Sequence, residues 1–187
     1  MPGLVTAATG VISKPLDDLR TLLSNCTGMQ TWMGVASSAL ALAKIHIAGL
    51  PPTDNDSYTK EELDDFRPFV IVSTESEAGN SFRFTASGGA GGRHFNRSGQ
   101  CRVYLEQAVA IEYRDDPSEL DRLFQNAMGE IIEDTGAGSG LLDLTATGTY
   151  FGVNSLVSHG PFRATEDEIV ADGDHIWSLW EITWGQS

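Results

Sequence analysis

Residues 100–114 alternate, and that alternation limits the chain more than any other feature. Cys101, Val103, Leu105, Val109, Ile111 and Tyr113 share one parity, while Arg102, Tyr104, Glu106, Glu112 and Arg114 share the other. Successive side chains of a strand point to opposite faces, so the pattern predicts one strand with a buried face and a mostly wet face. Its length would be about 15 residues, or roughly 50 Å. A strand that long bends, bulges or runs past its sheet. Its buried face needs a second layer, and the next segment offers one. Asp116-Pro117-Ser118-Glu119 supplies an N-cap, a proline at the first helical position and an acid at the third. Leu120, Leu123, Phe124, Ala127, Met128, Ile131 and Ile132 then form an apolar stripe at helical spacing, with Gly136 as the expected C-cap.

The rest of the chain is read around that strand–helix unit. Residues 2–12 are small and apolar and predict an arm or a frayed end. Ser13 is placed to cap a first helix, with Pro15 in its first turn and Leu16, Leu19, Leu22 and Leu23 on one face. Gly28 is expected to end that segment. Residues 36–44 predict a second helix, and Ile45 and Ile47 flanking His46 a passage into a strand. Residues 50–66 hold Pro51-Pro52 and six acids against Lys60, and read as a solvated loop insertion. Strands are expected at 69–74, around Phe82 and Phe84, at 141–153 and at 176–184, with a Gly/Arg-rich hairpin loop at 87–99. Residues 176–184 are apolar on both parities, so that strand is either central or covered by a partner. The order of elements predicts a single α+β domain over 1–187. It would contain a mixed, mainly antiparallel sheet with two or three helices packed against it and a long projecting β-hairpin.

Charge narrows the function classes. Twelve Lys and Arg stand against 26 Asp and Glu, for a net −14. A chain so acidic lacks the basic face that a general nucleic-acid binder needs, and the attraction to anionic lipid as well. Residues 1–13 lack the basic n-region of a signal peptide, and the longest plainly apolar run, 39–43, is far too short to span a bilayer. Cys26 and Cys101 are expected as separate thiols.

Motifs for chemistry fail on context. Gly88-Gly89-Ala90-Gly91-Gly92-Arg93 lacks the Lys-Ser/Thr ending of a phosphate loop and joins two strands. Gly136-Ala137-Gly138-Ser139-Gly140 follows a helix instead of opening one. Asp54-Asn55-Asp56 begins like a calcium loop, but Thr59 stands where that loop needs glycine. Asp172-Gly173-Asp174-His175 reads as a turn. His46, His94, His159 and His175 show no metal-ligand spacing. The expectation is therefore no enzyme, no cofactor and no metal. The competing enzyme reading needs a site assembled from distant residues such as His159 and His175 with nearby carboxylates.

One window stands apart. Residues 78–105 contain no acid and hold Arg83, Arg93, Arg97 and Arg102. Those four charges leave −18 on the remainder. A basic hairpin on an acidic body predicts docking on the acidic 54–65 or 166–174 segment of a neighbouring copy. Contact with nucleic acid passing through an assembly ranks below docking, because the field of the whole body opposes it. Trp177, Trp180 and Trp184 join these arginines as expected partner contacts.

This order of marks resembles head–tail junction proteins of tailed phages, most of all tail terminator (tail-completion) proteins. The marks are the Leu-spaced segment at 16–23, Met29-Gln30-Thr31-Trp32-Met33-Gly34, and Arg67-Pro68-Phe69-Val70-Ile71-Val72 opening a strand. They continue with the 100–114 strand, the helix through Phe124-Gln125-Asn126-Ala127-Met128-Gly129-Glu130, and an aromatic last strand ending Trp184-Gly185. The resemblance covers most of the chain and carries over no functional residue. It implies a ring of identical subunits, expected to be six, that caps the tail tube and faces the head–tail connector or stopper protein. DNA would pass through its lumen. It implies assembly in the host cytoplasm and residence in the virion at the tail–neck junction, with no contact to a membrane. The alternatives are a head-completion (stopper) or other neck or tail protein, or an unrelated non-catalytic adaptor module.

Overall fold

The computed structural model describes residues 14–52, 58–74, 82–89, 92–113, 116–133, 140–142, 144, 151–164 and 174–186. Five α-helices are described: α1 (Lys14–Asn25), α2 (Thr27–Trp32), α3 (Ser38–Ala43), α4 (Lys60–Phe66) and α5 (Pro117–Ile132). The strands are β1 (Ile45–Ile47), β2 (Phe69–Ser73), β3 (Phe82–Gly89), β4 (Gly92–Ala108), β5 (Gly152–Ala164) and β6 (His175–Gln186). The fold is α+β. Its sheet runs β1-β2-β4-β6-β5, with β3 paired to the first half of β4. Only β1–β2 is parallel; the other pairs are antiparallel.

Burial follows the sequence pattern where that pattern is clean. Leu16, Leu19, Leu22 and Leu23 of α1 are buried, and Lys14 bridges Asp18 one turn on at 2.7 Å. In α5, Asp116 caps the helix by accepting from the Glu119 amide, with Pro117 in the first turn. Leu120, Phe124, Met128 and Ile131 are buried, while Leu123 of the expected stripe stays exposed. Val70, Val72, Cys101, Val103, Leu105, Ile176, Trp180, Ile182 and Trp184 complete the same core cluster. Here α1 packs on β1 and β2, and α5 on α2 and β5. All of these strand residues lie on one face by register: Val70 is opposite Leu105, Val72 opposite Val103, and Val103 opposite Trp180.

Several expectations are corrected. Gly28 does not end a helix; it lies inside α2, where an added Cβ would fall 2.6 Å from the Glu130 carbonyl oxygen. It is a contact glycine that lets α2 meet the α5 backbone. The 50–66 insertion is not all loop. Thr59 and Glu62 form a capping box that starts α4, a T-x-x-E signal hidden inside an acidic run. Of the expected 87–99 loop, 87–89 and 92–99 are paired strand, with Ser87 opposite His94 and Gly89 opposite Gly92. The long alternation ends at Ala108; Ile111 and Tyr113 lie in a short 3-10 turn, so their parity is coincidental. Of the strand expected at 141–153, Leu141 and Leu142 form a turn and Gly152 and Val153 open β5, while 143 and 145–150 lie outside the described residues. The described cap after α5 is Glu133. The expected Gly136 cap, the 1–12 arm, the Ser13 cap and the Asp54-Asn55-Asp56 segment lie outside the described residues.

Candidate functional site

The helices α1, α2 and α5 cover one face of the sheet. Register places the remaining side chains of the strands in cross-strand rows on the other. One row is Ser73, Arg102, Glu181 and Val157; the next is Ile71, Tyr104, Leu179 and His159; the third is Phe69, Glu106, Trp177 and Phe162. This second face is unevenly covered.

Its β1–β2 end is closed from within the chain. Phe66 of α4 meets His46 edge-on at 5.9 Å. Arg67, just past α4, turns a fully buried side chain onto Glu106: its Nε donates to Oε1 at 2.6 Å, and its Nη1 donates to Asp64 Oδ1 at 2.8 Å. The Tyr104 hydroxyl donates to the other oxygen of Glu106. The result is a buried charge with its carboxylate held from two sides, the condition under which a buried ion pair is tolerated. Phe69 is buried beside it. Burial, together with the charges of Arg20 and Lys44, lowers the pKa of His46 and so favours its neutral form.

The β5–β6 end is open. Val157 is 54% exposed and Phe162 45%. Phe162 lies against Trp177, with ring centroids 5.7 Å apart, and Trp177 against His175 at 5.1 Å. The adjoining charges form ion pairs within the chain: Arg102 with Glu181 at 3.4 Å across β4–β6, and Arg163 of β5 with Asp121 of α5 at 3.1 Å. Among the described residues β5 pairs with β6 alone, which leaves its outer edge with no described partner strand. On the helix side of that edge, α5 leaves a groove of about 200 Å³ lined by Phe124, Met128, Gly129, Ile132, Ser158 and Pro161, among others.

The residues expected to contact partners separate here. Trp180 and Trp184 are buried in this chain's own core, Trp184 stacked on Phe151 at 5.4 Å, so they are corrected to core residues. Of the three tryptophans only Trp177 belongs to the open face. Strand β6 is apolar on both parities because it is central, with β4 and β5 on either side. Arg97 and Arg102 lie at opposite parities of β4, while Arg83 and Arg93 are placed by register alone, opposite Ser98 and Gly88. Cys26 and Cys101 are buried thiols, outside any disulfide, and burial pushes Cys101 up to about 12. Among the described residues no group of three or more His, Cys, Asp or Glu gathers as a metal site, and no helix is long and apolar enough to cross a membrane.

Sequence reasoning missed β5 and its groove. The run 152–164 breaks alternation because irregular register falls between Val153 and Ser155 and again between His159 and Phe162. Its one readable mark is the lack of any acid from Leu144 to Thr165.

No family model matches the chain, and no curated protein matches it. One similar solved structure aligns over 95% of this chain and 97% of its own, at 11% identity and a TM-score of 0.40. A likeness that slight carries no argument about fold or function.

Proposed function

We propose that this chain is a non-enzymatic virion structural protein of a tailed phage, most like a tail terminator. It forms a homo-oligomeric ring that caps the tail tube and joins it to the head–tail connector. The observation that carries the reading is the β5–β6 end of the sheet: a strand whose outer edge pairs with no other described strand, flanked by exposed Val157 and Phe162. Apolar surface beside a free strand edge is a liability in a monomer and is covered on assembly. The order of sequence marks from 16 to 185 supplies the phage context. In this reading function is binding without turnover. Subunits carrying −14 each repel one another when free, and the tail end recruits them and stops further tube addition. The β3–β4 ladder, with Arg83, Arg93 and Arg97, projects toward a neighbouring subunit or the DNA in the lumen.

Native mass spectrometry across concentration, with electron micrographs of any large species, tests the ring. A closed hexamer would appear near ~120 kDa, six times 20.1 kDa. A companion assay adds the protein to growing tail tubes. Tubes of unchanged length distribution, together with no closed species, would overturn the reading.

A further inference from the structure

The edge of β5 has the features of a strand acceptor, and they come from independent parts of the molecule. Between its two irregular registers, residues 155–159 run as regular strand against β6, Ser155 opposite Thr183 through His159 opposite Leu179. That leaves about five residues, or roughly 16 Å, of outward-facing backbone amides and carbonyls. A strand added there would send alternate side chains to the two sides of the sheet. On one side lies the α5 groove, with Phe124, Met128 and Gly129. On the other lie exposed Val157 and Phe162. Backbone hydrogen bonds along an edge with a pocket for alternate side chains is the general chemistry of strand addition.

The occupant is constrained by charge. Two copies at −14 approach each other at least cost where acids are absent. The segment from Leu144 to Thr165 has none, and the nearby Glu181 is engaged by Arg102. We infer that the outer edge of β5, which pairs with no other described strand, takes a strand from a second copy of this chain, with one of that strand's side chains seated in the groove between α5 and β5. The choice of a second copy as occupant rests on the ring reading; the acceptor geometry does not.

Two substitutions probe the two sides of the edge. A Cβ at Gly129 would meet nothing within 4 Å, so Gly129→Leu fills the groove without displacing the fold. Val157→Lys places a charge beside the edge on the open face. Leu40→Lys, on the exposed side of α3, is the control. Sedimentation equilibrium of the full chain, up to about 1 mM, is expected to show self-association of the wild type and of Leu40→Lys. Gly129→Leu and Val157→Lys should each weaken it tenfold or more while thermal unfolding of the monomer stays in place. If either variant fails to fold, the other still decides. Association unchanged in the folded edge variants would overturn the β5 inference and leave the ring reading standing. A wild type that stays monomeric throughout would overturn the second copy as occupant, while the tube-capping assay judges the ring reading separately.

Discussion

Replacing Gly28 with alanine adds one methyl group where the α2 and α5 backbones meet. Its Cβ would lie 2.6 Å from the Glu130 oxygen, 2.7 Å from the Glu130 carbon and 2.8 Å from the Ile131 nitrogen. All three are backbone atoms, so no side chain can rotate away; the helices must separate by about 0.6–0.8 Å to restore ordinary contact. That separation loosens Met29, Phe124 and Ile131, all in the core. Overpacking of this kind costs about 1–3 kcal/mol, against a propensity gain of at most about 1 kcal/mol for removing a helical glycine. The middle of that range, less the propensity gain, is about 1 kcal/mol of lost stability, or a fall in Tm of roughly 2–4 °C for a chain of this size. Gly129→Ala is the matched control in the facing helix. It meets nothing within 4 Å, so it should stabilise by about 0.5–1 kcal/mol. Urea unfolding of both variants, with m-values compared, checks the pair. If Gly28→Ala matched or exceeded the wild type in stability, the close helix approach would be wrong.

Three further outcomes follow from the same geometry. Glu106→Gln takes from Arg67 its buried carboxylate and should cost about 2–4 kcal/mol in equilibrium unfolding, whereas Asp64→Asn, at the exposed end of the same network, should cost under about 1 kcal/mol. Trp180→Ala should lose about 3–5 kcal/mol by emptying core volume, while Trp177→Ala should lose less than half of that; calorimetry separates the core tryptophan from the open-face one. The Cys101 thiol titrates near 9 when ordinary and is pushed up to about 12 by burial. Above pH 9 the unfolded chain therefore gives up a proton that the folded chain keeps. Stability should fall with rising pH between 9 and 12 by up to about 1.4 kcal/mol per unit, and Cys101→Ala should remove that slope. Alkylation of Cys101 at pH 8 should require denaturant.

Local signals were legible wherever periodicity and termini agreed. The Leu spacing of α1, the Asp116-Pro117 start of α5, and the strands around Ile71, Val103 and Trp180 are all in the sequence. Their common feature is that one face is buried along the whole element, so the pattern is unbroken. The misses have the opposite character. Strand β5 is an edge with irregular register, so it carries no clean period. The capping box of α4 sat inside a run of acids read only for its charge. The end of β4 at Ala108 is invisible because Val109, Ile111 and Tyr113 keep its parity by chance.

The sequence by itself determined an α+β chain: a long two-faced strand, a capped amphipathic helix, an acidic body and an acid-free Arg window. The tertiary structure alone decided the roles of residues whose type is ambiguous. Trp177 and Trp180 differ by three positions and one parity. One joins the open face and the other the core, because the two parities of β6, a strand held between β4 and β5, face opposite sides of the sheet. Gly28 and Gly129 look alike in sequence, yet one faces a backbone and the other faces space. Composition and periodicity report what a residue can bury. Which neighbour it meets depends on strand order and helix crossing, which are set by contacts far apart along the chain.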